Sequence, residues 1–204
     1  MSTRQPPERV RRLPRLARVI SLFTFPPVVA LSAFLILDAS LDDGSGPGLL
    51  VGLLAVTFGV AWPIAVSVVL IRGRRTSSVE APRERLLLLG LGAVGYSLGV
   101  AALIAVGSPI LITLLMSCYA TNTLVLLIVN LYWKASAHAM GVAGPTVALV
   151  FALGVPGVLL SLLLPFAGWA RVRLRAHTLS QVVVGAALGY VLTGAQIALG
   201  LRFF

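Results

Sequence analysis

The chain reads as an all-α protein, a polytopic transmembrane helical bundle of about six or seven spans, some of them short. Two observations predict that class. The first is composition: 58% of the 204 residues are hydrophobic and 11% charged, with a mean hydropathy of +1.01, too apolar for a soluble domain. The second is pattern: the apolar residues fall in runs of on the order of 20, the length needed to cross a bilayer, and the cations cluster between the runs.

Residues 1–18 open with six arginines and form a basic arm, expected to lie in the cytosol or at the membrane interface. The following run is long, and LILDASLDDG offers no small-residue cleavage site, so the segment reads as retained rather than as a removed signal. Residues 19–204 form one membrane domain. Spans are read at 19–38, 48–71, 86–106, 109–132 and 179–201. Between His138 and Arg171 the run is either one long tilted span or two short helices broken at GVPG, where Gly154, Pro156 and Gly157 punctuate it.

Two short helices place fifteen of the sixteen cations on one face and leave only Arg202 opposite, with Asp38, Asp42 and Asp43 in the first opposite loop. The positive-inside rule then assigns that face to the cytoplasm of a multi-pass cell-membrane protein. One long span would carry the arginines around 171 away from Lys134. Cys118, the single cysteine, lies in an apolar run, which excludes an internal disulfide and reads as a buried thiol.

Three loops converge on the cationic face. Residues 72–85 carry Arg72, Arg74, Arg75, Arg83 and Arg85 with Glu80 and Glu84; residues 133–138 carry Lys134, Ser136 and His138; residues 170–181 carry Arg171, Arg173, Arg175 and His177. Guanidinium groups grip phosphate oxygens in pairs, an ammonium adds a point charge, and imidazole can give or take a proton. Such a set suits a phosphate group at the headgroup level of a bilayer. The same basic loops also suit topological signalling or contact with anionic headgroups. Nucleic acid is not an expected partner despite the net charge of +10, because the arginines are spread among span-flanking loops.

ARVRLRAHTLSQ, with Arg171, His177 and Gln181, resembles the third signature block of the type 2 phosphatidic acid phosphatase family: Ser-Arg, five residues, His, three residues, Asp. ASAH at 135–138 resembles the second block, Pro-Ser-Gly-His, and keeps Ser136 and His138. The first block, Lys, six residues, Arg-Pro, has no clear counterpart in RGRRTSSVEAPRER. Other departures are Ala170 for serine, Ala135 and Ala137 for proline and glycine, and Gln181 for aspartate. HTLSQV is nonetheless similar to the third block of dolichyl diphosphate phosphatases, which also carry glutamine there, and this points toward a polyprenyl substrate.

The resemblance implies a metal-independent hydrolase with no cofactor, acting on a lipid phosphate or diphosphate through a phosphohistidine. His177 would be the nucleophile and His138 the general acid. Arg171, Lys134, Ser136 and Arg83 or Arg85 would hold phosphate, and Gln181 would orient the nucleophile. A neutral amide can hold the ring but cannot supply the charge of an aspartate. A non-catalytic carrier or scaffold for an anionic lipid is therefore a competing expectation, as is a small transporter. No run of His, Cys, Asp or Glu has metal-ligand spacing.

Elsewhere, Asn122 and Asn130 are expected to bond between helices, and Gly185 and Gly189 to permit close helix packing. Trp133 and Trp169 read as interfacial anchors, and Trp62-Pro63 as a local kink.

Overall fold

A computed structural model describes residues 8–41, 48–73 and 82–203. They are helical, with no strand among them. The elements are α1 (Glu8–Phe23), α2 (Pro26–Leu41), α3 (Gly48–Val56), a π-helical turn (Thr57–Ala61), α4 (Trp62–Gly73), α5 (Pro82–Ala105), α6 (Ile110–Tyr132), α7 (Ala137–Leu153), a 3-10 segment (Val155–Leu162), α8 (Leu163–Arg173) and α9 (Leu179–Phe203). Among the described residues, six stretches are long and apolar enough to cross a membrane, and α7 is a shorter apolar helix.

The first apolar run is not one straight helix. The backbone amide and hydroxyl of Thr24 both donate to the Ile20 carbonyl, at 2.9 and 2.8 Å, and the helix stops there. Phe25 precedes Pro26-Pro27, and a residue before proline is pushed out of the α region, while proline suits the first helical position. The basic arm's helix thus runs to Phe23, five residues beyond the boundary read from the sequence. α1 packs along α8, and α2 packs against α7.

Trp62-Pro63 marks an irregularity of a specific kind. Pro63 has no amide to donate, and the ladder just before it widens so that the Trp62 amide bonds to the Thr57 carbonyl, five residues back. The Trp62 indole donates to the Leu91 carbonyl at 2.9 Å, tying α4 to α5.

The stretch from 138 to 171 resolves into two segments. α7 ends at Gly154, whose φ of +67° lies in the region that glycine adopts without cost. Gly157 then lies so close to the Leu149–Val150 backbone that a β-carbon would collide with it. The 3-10 segment and α8 return the chain to the face from which α7 left. Consequently the ends at 23–26, 132–137 and 173–179 share one face, with α4 finishing and α5 starting there.

Packing is uneven along the bundle. Phe34, Leu37, Leu103, Ile112, Leu115, Met116 and Ile197 are fully buried and form the main core. Most of these belong to the helix halves remote from the motif-bearing loops. Nearer the loops, α7 and α9 are in close contact through small residues. A β-carbon at Gly189 would lie 2.8 Å from the Met140 carbonyl oxygen, and one at Gly185 would strike the Ser136 carbonyl. Asn122 donates to Thr193 at 2.8 Å and accepts from Gln196 at 2.9 Å, joining α6 to α9. Asn130, by contrast, donates within its own helix to Leu126 at 2.8 Å, so the interhelical bond expected of it is not made. Cys118 is buried.

Candidate functional site

The spacing between Arg171 and His177 follows from how α8 stops. Arg175 donates to the Val172 carbonyl at 3.0 Å and Ala176 to the Arg171 carbonyl at 3.0 Å, the paired bonds of a Schellman C-cap. Arg175 takes the left-handed position, φ 55°, where glycine is usual. The His177 amide also points to the Arg171 carbonyl, at 3.3 Å. Arginine and histidine are therefore brought together by one folded helix end.

The start of α9 fixes the imidazole. Gln181 donates its amide to Thr178 Oγ1 at 3.3 Å, and the Thr178 amide donates back to Gln181 Oε1 at 3.1 Å. This is a capping box, Thr-x-x-Gln. The same Oε1 lies 3.2 Å from His177 Nδ1. Because Oε1 already accepts from a backbone amide it must be the oxygen of the side chain, so Nδ1 is the donor. That tautomer leaves the Nε2 lone pair free.

The second loop is locked onto the third. Lys134 Nζ donates to the Ala176 carbonyl at 2.8 Å, and the Ser136 amide donates to the Gln181 carbonyl at 3.1 Å. Ser136 is fully buried and is the N-cap of α7, its hydroxyl accepting from the Ala139 amide at 3.4 Å. One lone pair of its hydroxyl thus serves the helix start, and its O–H remains a donor. His138 occupies the first turn of the same helix.

Electrostatics bind the set together. The ring of His177 is pushed down to about 4, by its burial first, then by Arg171, Lys134 and Arg85, with the hydrogen bond to Gln181 opposing them. His138 lies within electrostatic reach of both Arg171 and His177. Of the two arginines singled out in the first loop, Arg85 acts on His177, whereas Arg83 is exposed and does not. No carboxylate among the described residues acts on His177; Glu84 is half-buried on the first turn of α5, and Arg74, Arg75 and Glu80 lie outside the described residues. The described residues contain no group of three or more His, Cys, Asp or Glu able to hold a metal ion.

The amino-terminal segment also reaches the site, which the sequence reading missed. Arg171 Nη1 donates to Ser21 Oγ at 3.4 Å, and the Phe25 ring lies 5.9 Å from that of His138, tilted by 51°. Nothing in the local pattern of ISLFTFPP signals either contact. Thr178 was missed as well, although its Thr-x-x-Gln spacing was a legible signal.

Below His138 a cavity of about 200 Å³ extends into the bundle. Its wall includes Pro26 of α2, Ser67 of α4, Gly92 and Tyr96 of α5, and Asn122 of α6. The polar site thus sits over an apolar interior. Comparison of the chain with protein-family models, with curated proteins and with solved structures finds no match.

Proposed function

We propose that this protein is a membrane-embedded, metal-independent phosphatase acting on a lipid phosphate or diphosphate through a phosphohistidine. The observation that carries the reading is the tautomer of His177. Its Nδ1 donates to Gln181, its Nε2 is free, and the ring is neutral at physiological pH among three cations. A neutral imidazole surrounded by positive charge is equipped to attack an anionic phosphorus centre.

In this reading Arg171, Lys134 and Arg85 gather the phosphoryl oxygens. Nε2 forms a bond to phosphorus as the bond from phosphorus to the leaving oxygen breaks. A phosphate monoanion brings a proton with it, and His138 relays that proton to the departing alkoxide or phosphate. Water then attacks the phosphohistidine, giving one proton to His138, which passes it to the departing phosphate, so that inorganic phosphate leaves as its monoanion with both rings restored. The free amides at the starts of α7 and α9 add a favourable field for the anion. Ser136 contributes by capping α7 and holding it to α9, a positioning role.

The cationic face is assigned to the cytoplasm by the positive-inside rule. Labelling from outside of a cysteine placed at Arg173, exposed on that face, would overturn the assignment.

The test of activity is phosphate release by purified protein in detergent from prenyl diphosphate, prenyl monophosphate and phosphatidate, with His177→Ala beside the wild type. Release by the wild type and none by the variant, with an acid-labile phosphorylated protein trapped only in the former, is expected. Equal background in both, with the lipid still bound, would instead favour the non-catalytic carrier, a reading supported by the neutral amide of Gln181 at the Nδ1 of His177.

A further inference from the structure

His138 of the phosphate site also lines the cavity beneath it, and the shape of that cavity bears on which lipids fit. On α6 its wall runs from Leu126 to Leu115, roughly 16 Å along the helix axis at 1.5 Å per residue. His138 and Phe25 stand at the end nearest the loops. Toward the far end it is lined by the Tyr96 and Tyr119 rings, 5.3 Å apart, with the packed core behind them. A cavity of 150 Å³ lined by apolar side chains holds one benzene, so about 200 Å³ has room for on the order of eight carbons of one chain and not for two side by side.

The bundle also offers a way in from the bilayer. α2 packs against α7, α3 and the π-helical turn, while α4 packs against α5 and that same turn. α2 and α4 share at most a marginal contact, yet Pro26 and Pro27 of the one and Ser67 of the other line the same cavity. From the π-helical turn toward the loops, the two helices are therefore separated by the cavity itself.

We propose that this cavity binds the phosphate-proximal part of a single extended hydrocarbon chain, a prenyl or alkyl phosphate, admitted sideways between α2 and α4 with its phosphate stopping at His138 and His177. The inference rests on the phosphatase reading for the headgroup and adds to it the selection of one-chain over two-chain lipids. A diacyl lipid must leave one chain outside the bundle and loses that burial. Gly92 is the position at which to block the cavity: a β-carbon there meets only Tyr96 at 3.8 Å and Thr123 at 3.9 Å, ordinary contacts, so a larger side chain grows into the cavity without striking backbone.

The experiment uses full-length protein in nanodiscs and an alkyl phosphate bearing a diazirine partway along its chain, with phosphatidate carrying the same tag as comparison. Photolabelling of His177→Ala protein reports binding without turnover. Label from the alkyl phosphate is expected on Tyr96 and on the α6 wall between Leu115 and Thr123, and Gly92→Leu should lower it by about tenfold, the burial of roughly two methylenes. Ser67→Phe, at the split, should lower it independently. In parallel, Gly92→Leu should cut kcat/KM for the long-chain phosphate by a larger factor than for a short water-soluble phosphate ester. Deep label without any phosphate release by the wild type would uphold the cavity and overturn the phosphatase reading. Release with label confined to lipid-facing residues, or labelling by phosphatidate equal to that of the alkyl phosphate, would overturn the cavity proposal and leave the phosphatase reading standing.

Discussion

Replacing Gln181 by glutamate alters the charge beside His177 while leaving the geometry intact. Glutamate also serves at the third helical position of a capping box, so the bond from the Thr178 amide is kept. The Nδ1 proton gains an anionic acceptor where the neutral oxygen stands at 3.2 Å. In the wild type, burial, Arg171, Lys134 and Arg85 hold the ring at about 4 against an ordinary 6.5. A carboxylate within hydrogen-bonding distance favours the charged ring by 1–3 units in general; because His177 is half-buried, the lower part of that range applies, and the midpoint should rise to between about 5 and 6. The shift is read from the ring resonances of isotope-labelled histidine over pH 3–8. In the proposed reaction only the neutral ring attacks, so the acid limb of kcat/KM should move up by the same amount. Stability follows the same sign. The folded wild type binds fewer protons at His177 than the unfolded chain does between about 4 and 6.5, so stability declines as pH falls through that window. In the variant the window narrows from its lower end. A midpoint that stays at about 4 or falls would refute the arrangement of cations and amide around this ring.

Two further outcomes concern the scaffold. Gly185→Ala should lower the unfolding temperature in detergent, at a cost of about 1–3 kcal/mol for overpacking, because the new methyl meets the Ser136 backbone, which cannot swing aside. Gly194→Ala, whose β-carbon would meet only Val147 at 3.9 Å, is the matched control and should be tolerated; equal effects of the two would refute the close α7–α9 contact as the cause. Arg175→Gly should stabilise the protein by about 1 kcal/mol by relieving a left-handed residue, and a lower unfolding temperature would show that the Arg175 side chain matters more than its backbone.

The helical architecture was legible because bilayer thickness imposes a length on apolar runs, and that signal survives without knowledge of packing. The return of the chain at GVPG was legible only as a choice, since sequence carries no record of φ, and Gly154 at +67° is what turns the run back. The break at Thr24–Phe25 was written in Pro26-Pro27 but was masked by apolar residues on both sides. At the site, charge type and the gathering of three loops singled out His138, His177, Arg171 and Lys134, while Gln181 came only from the resemblance to a known signature block. The reason for the spacing was not visible: a Schellman motif with arginine in the glycine position gives no compositional cue. Ser136 was singled out for its hydroxyl, and the structure uses that hydroxyl to cap α7. Ser21 and Phe25 could not have been found, because nothing local in α1 or the turn after it announces a partner more than a hundred residues away.

Gln181 raises the question of why an amide should stand beside a histidine proposed as the nucleophile. Before attack, the ring must be neutral and must present Nε2. The Oε1 atom, pinned by the Thr178 amide, enforces the tautomer, and burial, helped by three nearby cations, keeps the proton off Nε2. A carboxylate would enforce the same tautomer but would also pull the ring toward protonation, shrinking the pH range over which it can attack. Once Nε2 bonds to phosphorus the balance reverses, because the ring then carries positive charge amid other positive charges. In the proposed reaction the phosphoryl oxygens gathered by Arg171, Lys134 and Arg85 offset that charge only in part. Glutamate at 181 should thus have opposite effects in two pH regimes, slowing the reaction below about 6, where it protonates the nucleophile, and sparing or speeding it above, where it stabilises the developing imidazolium. An amide at this position suits a site in which burial first, and the neighbouring cations after it, already keep the ring neutral.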